Sequence, residues 1–215
     1  MKKIGILGSG AVAHALGSGF IKHGYEVMLG SRNPEKVAAW KEKEGDKAST
    51  GNFEDAAKFG DIIVLAVKGA VAADVIELAG PQNLTAKTVI DTTNPLAAAP
   101  PEDGVVKYFT NMDESLMEQL QTRFPALHFV KAFNSVGNGT MVNPAYKDGQ
   151  PTMFICGNND AAKKETGDIL GQFGWDVEDM GKAAAARPIE ALCMLWCIPG
   201  FLRNQWTHAF KLVRV

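Results

Sequence analysis

The chain is poor in the residues from which metal centres, disulfide scaffolds and acid–base machinery are built. Its 215 residues include 3 cysteines, an odd number, and 4 histidines (His14, His23, His128, His208) scattered without ligand spacing. That usage argues against a disulfide framework and suits a reducing compartment. Cys193 and Cys197 stand four apart on an expected helix. No histidine pair completes a zinc site beside them, so they read as buried apolar residues. Charge of one sign is also missing: 22 Lys and Arg against 24 Asp and Glu leave a formal net charge of -2. The basic residues form no patch interleaved with aromatics, so neither nucleic acid nor an anionic membrane is an expected partner. No stretch offers the ~18 uninterrupted apolar residues of a spanning helix. Lys2-Lys3 and the apolar run behind them imitate a secretory signal, but Gly5, Gly8 and Gly10 break it. With 46% hydrophobic and 21% charged residues, the expectation is a soluble, cytoplasmic globular protein.

The front of the chain carries the strongest pattern. Lys2 to Leu7 reads as a short buried strand, Gly8-Ser9-Gly10-Ala11-Val12-Ala13 follows at once, and a helix runs to about His23. Tyr25 to Leu29 then begins a second strand. Strand, glycine turn, helix and strand make the opening of a dinucleotide-binding unit. Gly8 permits the tight turn, Gly10 lets a pyrophosphate approach the backbone, and Ala13 packs the helix on the strand. The helix N-terminus presents N–H groups and a positive dipole end to the phosphates.

An acid is missing where one would select NAD. About 20 residues past the glycines, such a protein places Asp or Glu to accept from the ribose 2′-OH. Here the tip reads Gly30-Ser31-Arg32-Asn33-Pro34-Glu35-Lys36, with Glu26 too far back to reach a ribose. Ser31 can donate a hydrogen bond, Arg32 can fork onto a 2′-phosphate, and Lys36 adds a second cation. The cofactor expected from these residues is NADP(H).

Strands and helices alternate through the rest, which predicts an α/β, doubly wound, mostly parallel sheet of the Rossmann type. Asp61 to Val67 is an unbroken apolar run, as a strand covered on both faces should be. Asn52 and Asp55 mark the start of a helix, as do Ser115 and, further on, Asn159 or Asp160. The domain is expected over 1–180, with 181–215 a helical tail packed on it or in a dimer interface. Pro199-Gly200 is expected to interrupt that tail, and its apolar load (Leu192, Leu195, Trp196, Phe201, Leu202, Trp206, Phe210) predicts core or homodimer contacts.

In doubly wound sheets ligands lie outside the carboxyl ends of the strands. That rule nominates Gly8 to Val12 and Gly30 to Arg32 for phosphates and adenosine, and Val67 and Lys68 for the ribose. It places Asn94-Pro95 and Ala132-Phe133-Asn134 near a nicotinamide. Lys68, Lys131 and Asn134 could orient an acceptor or be structural. No triad, carboxylate pair or metal cluster is recognisable, and no catalytic acid or base is assigned.

Taken together, Gly8 to Ala13, Gly30-Ser31-Arg32-Asn33, Asp91-Thr92-Thr93-Asn94-Pro95, Val130 to Asn134 and Phe154-Ile155-Cys156-Gly157-Asn158 resemble the NADPH-dependent coenzyme F-420 reductase family. The chain is also similar to the cytosolic oxidoreductase domain of the six-transmembrane ferric reductases, whose version of the Thr-Thr-Asn-Pro and Lys-Ala-Phe-Asn segments it approaches more closely. The resemblance implies hydride exchange between NADP(H) and a deazaflavin or flavin (coenzyme F-420, FAD or FMN) as a small-molecule redox partner. By position it implies Ser9, Ala11 and Val12 on pyrophosphate and Ser31, Arg32 and Lys36 on the 2′-phosphate. Asn94, Pro95 and Leu96, with Phe133 and Asn134, would flank the rings. A reductase of a small carbonyl or imine compound and a non-catalytic NADPH sensor are the other readings.

Overall fold

Short apolar strands joined through helices can hide both faces only by stacking side by side between two helical layers. The structure, a computed structural model, describes residues 2–215 and shows that arrangement. Strands β1 (Lys3–Leu7), β2 (Glu26–Gly30), β3 (Ala48–Gly51), β4 (Ile62–Leu65), β5 (Thr88–Asp91) and β6 (His128–Lys131) are followed by β7 (Thr152–Gly157) and β8 (Asp176–Asp179). They form one sheet in the order β3-β2-β1-β4-β5-β6-β7-β8. The first six run parallel, and β7 turns antiparallel to β6 through Val130↔Gly157 and Lys131↔Cys156.

Alternation along each strand sends side chains to two cores. Ile4, Ile6 and Val64 meet α1 (Ala11–Lys22), α2 (Ala38–Glu44) and α6 (Asp160–Gln172) through Leu16, Phe20, Trp40 and Leu170. Leu7, Ile63, Leu65 and Val89 meet α3 (Phe53–Phe59), α4 (Ala72–Ala79) and α5 (Leu116–Arg123) on the other side. Each fully buried side chain of this size contributes about 1.5–3 kcal/mol. Gly5 is required by this packing, because a Cβ there would lie 2.1 Å from the Ala56 carbonyl oxygen of α3.

The helix starts expected at Asn52, Ser115 and Asn159 are all capped. Asn52 with Asp55 and Ser115 with Glu118 form reciprocal capping boxes, and the Asn159 side chain accepts from Ala162 N at 2.9 Å. Glu118 does a second job, gripping Arg187 at 2.7 Å. That guanidinium, with the Ser115 bonds, overcomes partial burial and holds the Glu118 carboxyl at about 2, from an ordinary 4.5. A depressed pKa stabilises the fold above the unfolded value and loses that contribution as pH falls through the folded one. Glu118→Gln keeps the capping geometry but drops the charge. It should cost about 1–2 kcal/mol at pH 7. Urea titrations should show the gap from wild type closing between 4.5 and about 2; a constant gap would mean that the ion pair is not its source.

The tail corrects two expectations. Pro199 does not interrupt it: α7 runs unbroken from Ala186 to Arg203 and ends at Asn204, in the left-handed conformation. Loss of one helical hydrogen bond at proline is tolerated because tertiary packing fixes the segment. Gly200 lies so close to the Trp206 ring that a Cβ would fall 2.3 Å from it. Beyond Asn204 the chain is not helical; it folds back between α7, where Trp196 Nε1 donates to His208 O at 2.8 Å, and the start of β7, where Thr152 N donates to Phe210 O at 2.9 Å. The segment Ala183–Arg203 is also long and apolar enough, by length and composition, to cross a membrane. Here it is a packing helix, bound to the sheet through Glu190.

Candidate functional site

Strand order reverses between β1 and β4, and the crevice opens at their carboxyl ends. Gly8 turns there with φ of +151°, and a Cβ would lie 2.2 Å from Ala66 O, so no other residue fits the turn. Gly10 is the reverse case: nothing stands within 4 Å of its missing Cβ. The first turn of α1, with exposed Ala11 and half-buried Val12, has no side-chain cap and no acid. Its N–H groups and dipole face this open side, a cradle that fits a pyrophosphate.

Beyond β2 the residues expected on adenosine converge. Gly8, Ser9, Ser31, Arg32, Lys36 and Val67 line one cleft of ≈ 220 Å³. Ser31 is buried and its Oγ accepts from Asn33 N at 3.2 Å, which fixes the turn and leaves its hydroxyl hydrogen to donate. Arg32 and Lys36 are exposed and flank it. The cleft has a wall that sequence reasoning missed: Phe53, Val71, Val75 and Leu78, with Asp74 between them. The signal was the 71, 75, 78 spacing on one face of the α4 segment, which looks like any core stripe.

The remaining predicted residues lie further along the strand tips. Lys68 is exposed, and Asn94 is half-buried beside buried Pro95. Asn94 Nδ2 donates to Asn134 O at 2.7 Å, and Asn134 Nδ2 donates to Asn94 Oδ1 at 3.1 Å and to Ile189 O at 2.8 Å. This clasp joins the tips of β5 and β6 to α7. Leu96 faces a separate, mainly apolar groove with Ala70, Phe109 and Leu120. Ala132 is fully buried. Phe133 departs from the expected placement: its side chain is 1% exposed and packs in the core near Phe173 instead of facing the crevice. Its φ of +60° is a strained conformation for an aromatic residue, and that core packing holds it.

Lys131 orients no acceptor either. It is 0% exposed, with Nζ 2.7 Å from Asp91 Oδ2 and 2.9 Å from Glu190 Oε1. Burial works to lower its pKa, and the two carboxylates overcome this and hold it above its ordinary value. Burial also raises the Tyr108 phenol and pushes the Cys156 thiol up to about 12. These groups are shut away or hold their protons at neutral pH, so none of them is poised for acid–base work. The arrangement can bind, orient and exclude water.

Fold and site together define a Rossmann-type protein whose crevice has the glycine turn and cationic strand tip that fit NADP(H). Residues 3–95 match the family model described as NADP oxidoreductase, coenzyme F420-dependent. A crystal structure assigned as an F420-dependent NADP-reductase from Arthrobacter sp. FB24 superposes with a TM-score of 0.92, at 29% identity and over 100% of both chains. Metalloreductase STEAP3 of Rattus norvegicus is 30% identical over 204 residues, 93% of this chain and 39% of its own length. The chain thus spans well under half of the curated relatives it matches. An imine reductase from Pseudomonas sp., at 19% identity and a TM-score of 0.65 over 93% of this chain, shares the fold alone. The chain is thus similar to NADP-dependent oxidoreductases: to the F420-dependent family over residues 3–95 and to the STEAP metalloreductases along most of its own length.

Proposed function

We propose that this protein transfers hydride between NADPH and a deazaflavin or flavin: coenzyme F-420, FAD or FMN. The observation that carries the reading is the cleft beyond β2, where Ser31, Arg32 and Lys36 stand together and no acid occupies the strand tip. A ribose 2′-phosphate matches that set in charge and geometry. When bound, NADPH supplies the hydride from its nicotinamide ring. Gly8 and Gly10 allow the close backbone approach, and the α1 N-terminus stabilises the pyrophosphate charge. The clasped tips at Asn94 and Asn134 give the ring end a rigid floor. Hydride passed between two stacked rings needs alignment and dryness more than a protein acid, which suits the shut-away titratable groups. On α7 the large apolar side chains of Leu195, Phe201 and Leu202 remain exposed. This supports the expectation of a homodimer.

The test is anaerobic NADPH oxidation with coenzyme F-420, FAD and FMN offered in parallel, and NADH as the comparison donor. Turnover of one acceptor with a strong NADPH preference is expected. Tight NADPH binding with no turnover on any of the three would sink the proposal in favour of a carbonyl or imine substrate, or a sensor.

A further inference from the structure

Glu190 belongs to α7, yet its carboxylate ends beneath the crevice. It is 2% exposed and accepts from Leu116 N at 2.9 Å and Met117 N at 3.1 Å, the first two N–H groups of α5. Its Oε1 also takes Lys131 Nζ at 2.9 Å. Lys131 has three N–H bonds and three acceptors around it: Glu190, Asp91 at 2.7 Å and the Thr93 carbonyl at 2.8 Å. Asp91 Oδ1 in turn accepts from Thr93 N at 2.9 Å and Thr93 Oγ1 at 2.7 Å. Every polar atom of Thr93 is therefore committed to the cluster. The next residue is Asn94, whose carbonyl oxygen lies 2.1 Å from where a Cβ on Gly69 would stand. Thr93 and Asn94 are gripped from below by ions, from one side by Gly69 and from the other by Asn134.

Charges this deep are poor stabilisers, because removing them from water offsets most of their attraction. What they supply is fixed geometry, since each bond has one length and direction. We propose that Asp91, Lys131 and Glu190 are positioning residues that hold the Thr93–Asn94 tip in place for the nicotinamide end of NADPH. On that view α7 is part of the redox site and not an appendage. The inference rests on the function proposed above and assigns the ring-end geometry to residues that touch no cofactor.

The test compares two ligands on wild type and three variants. NADPH reports the whole cofactor, while 2′,5′-ADP reports only the end held by Ser31 and Arg32. Glu190→Gln removes one charge at constant shape, and Thr93→Val removes one hydroxyl. Both should weaken NADPH about tenfold while leaving 2′,5′-ADP within about twofold. Thr93→Ser should restore NADPH binding. If Glu190→Gln fails to fold, the Thr93 pair carries the comparison, because the valine is isosteric. Equal loss for both ligands, or no loss for either, would overturn the proposal. Wild type that binds NADPH but reduces no acceptor would defeat the proposed function and leave this comparison standing. Wild type that binds neither ligand would defeat both.

Discussion

Lys131→Met should cost about 3–5 kcal/mol of folding stability, the loss expected when one partner of a buried ion cluster is removed. Methionine fills the space of the lysine stem but leaves Asp91 and Glu190 facing each other with nothing positive between them. The α5 N-terminus can stabilise only part of that charge. Against a total of about 5–15 kcal/mol for an ordinary domain, a loss of this size brings unfolding near room temperature within reach. Urea denaturation at pH 7, followed by circular dichroism, measures it. Adding Asp91→Asn and Glu190→Gln should recover part of the loss, because the penalty lies in the stranded charges and not in the missing bonds. A loss below about 1 kcal/mol would show that the cluster is wetter and looser than its 0% exposure indicates.

Arg32→Ala should weaken NADPH binding by about 100-fold and leave NADH nearly unchanged. A charge-assisted fork onto phosphate has the strength to do this: about 2.7 kcal/mol corresponds to two powers of ten. Arg32 is exposed and makes no ion pair among the described residues, so its removal strands no partner and the fold should not respond. Fluorescence titration with the two reduced cofactors separates the effects. Lys36→Ala should show the same selectivity at smaller size, since a point charge one turn on contributes less than a planar fork. Equal losses for NADPH and NADH would relocate Arg32 to the pyrophosphate or the adenine, and the 2′-phosphate reading would fall.

The front half was legible because its signals are local. A strand of Ile4, Ile6 and Leu7, glycines at 8 and 10, and an acid-free tip at 30–32 each follow from a few neighbouring residues. Capping boxes such as Asn52 with Asp55 are written within four positions. Helices and strands formed where these patterns put them, with boundaries moved by a residue or two.

The chemistry beyond β5 was not local, and there the expectations slipped. Nothing around Ile189-Glu190-Ala191 shows that this carboxylate receives N–H groups 73 and 74 residues earlier in the chain. In sequence Lys131 is an ordinary cation at a strand end; only its register opposite Asp91 makes it a buried strut. Phe133 looked like a ring to flank a ring, and a left-handed backbone turned it into the core. Pro199 looked like a break, and packing carried the helix through it. By itself, then, the sequence determined the sheet class, the glycine turn and the acid-free cationic tip from which NADP(H) is proposed, because those rest on backbone conformation and on charge at one strand tip. Only the tertiary structure decided which polar groups face the crevice and which are locked beneath it. Burial and pairing of charge depend on what other elements bring to the same point in space.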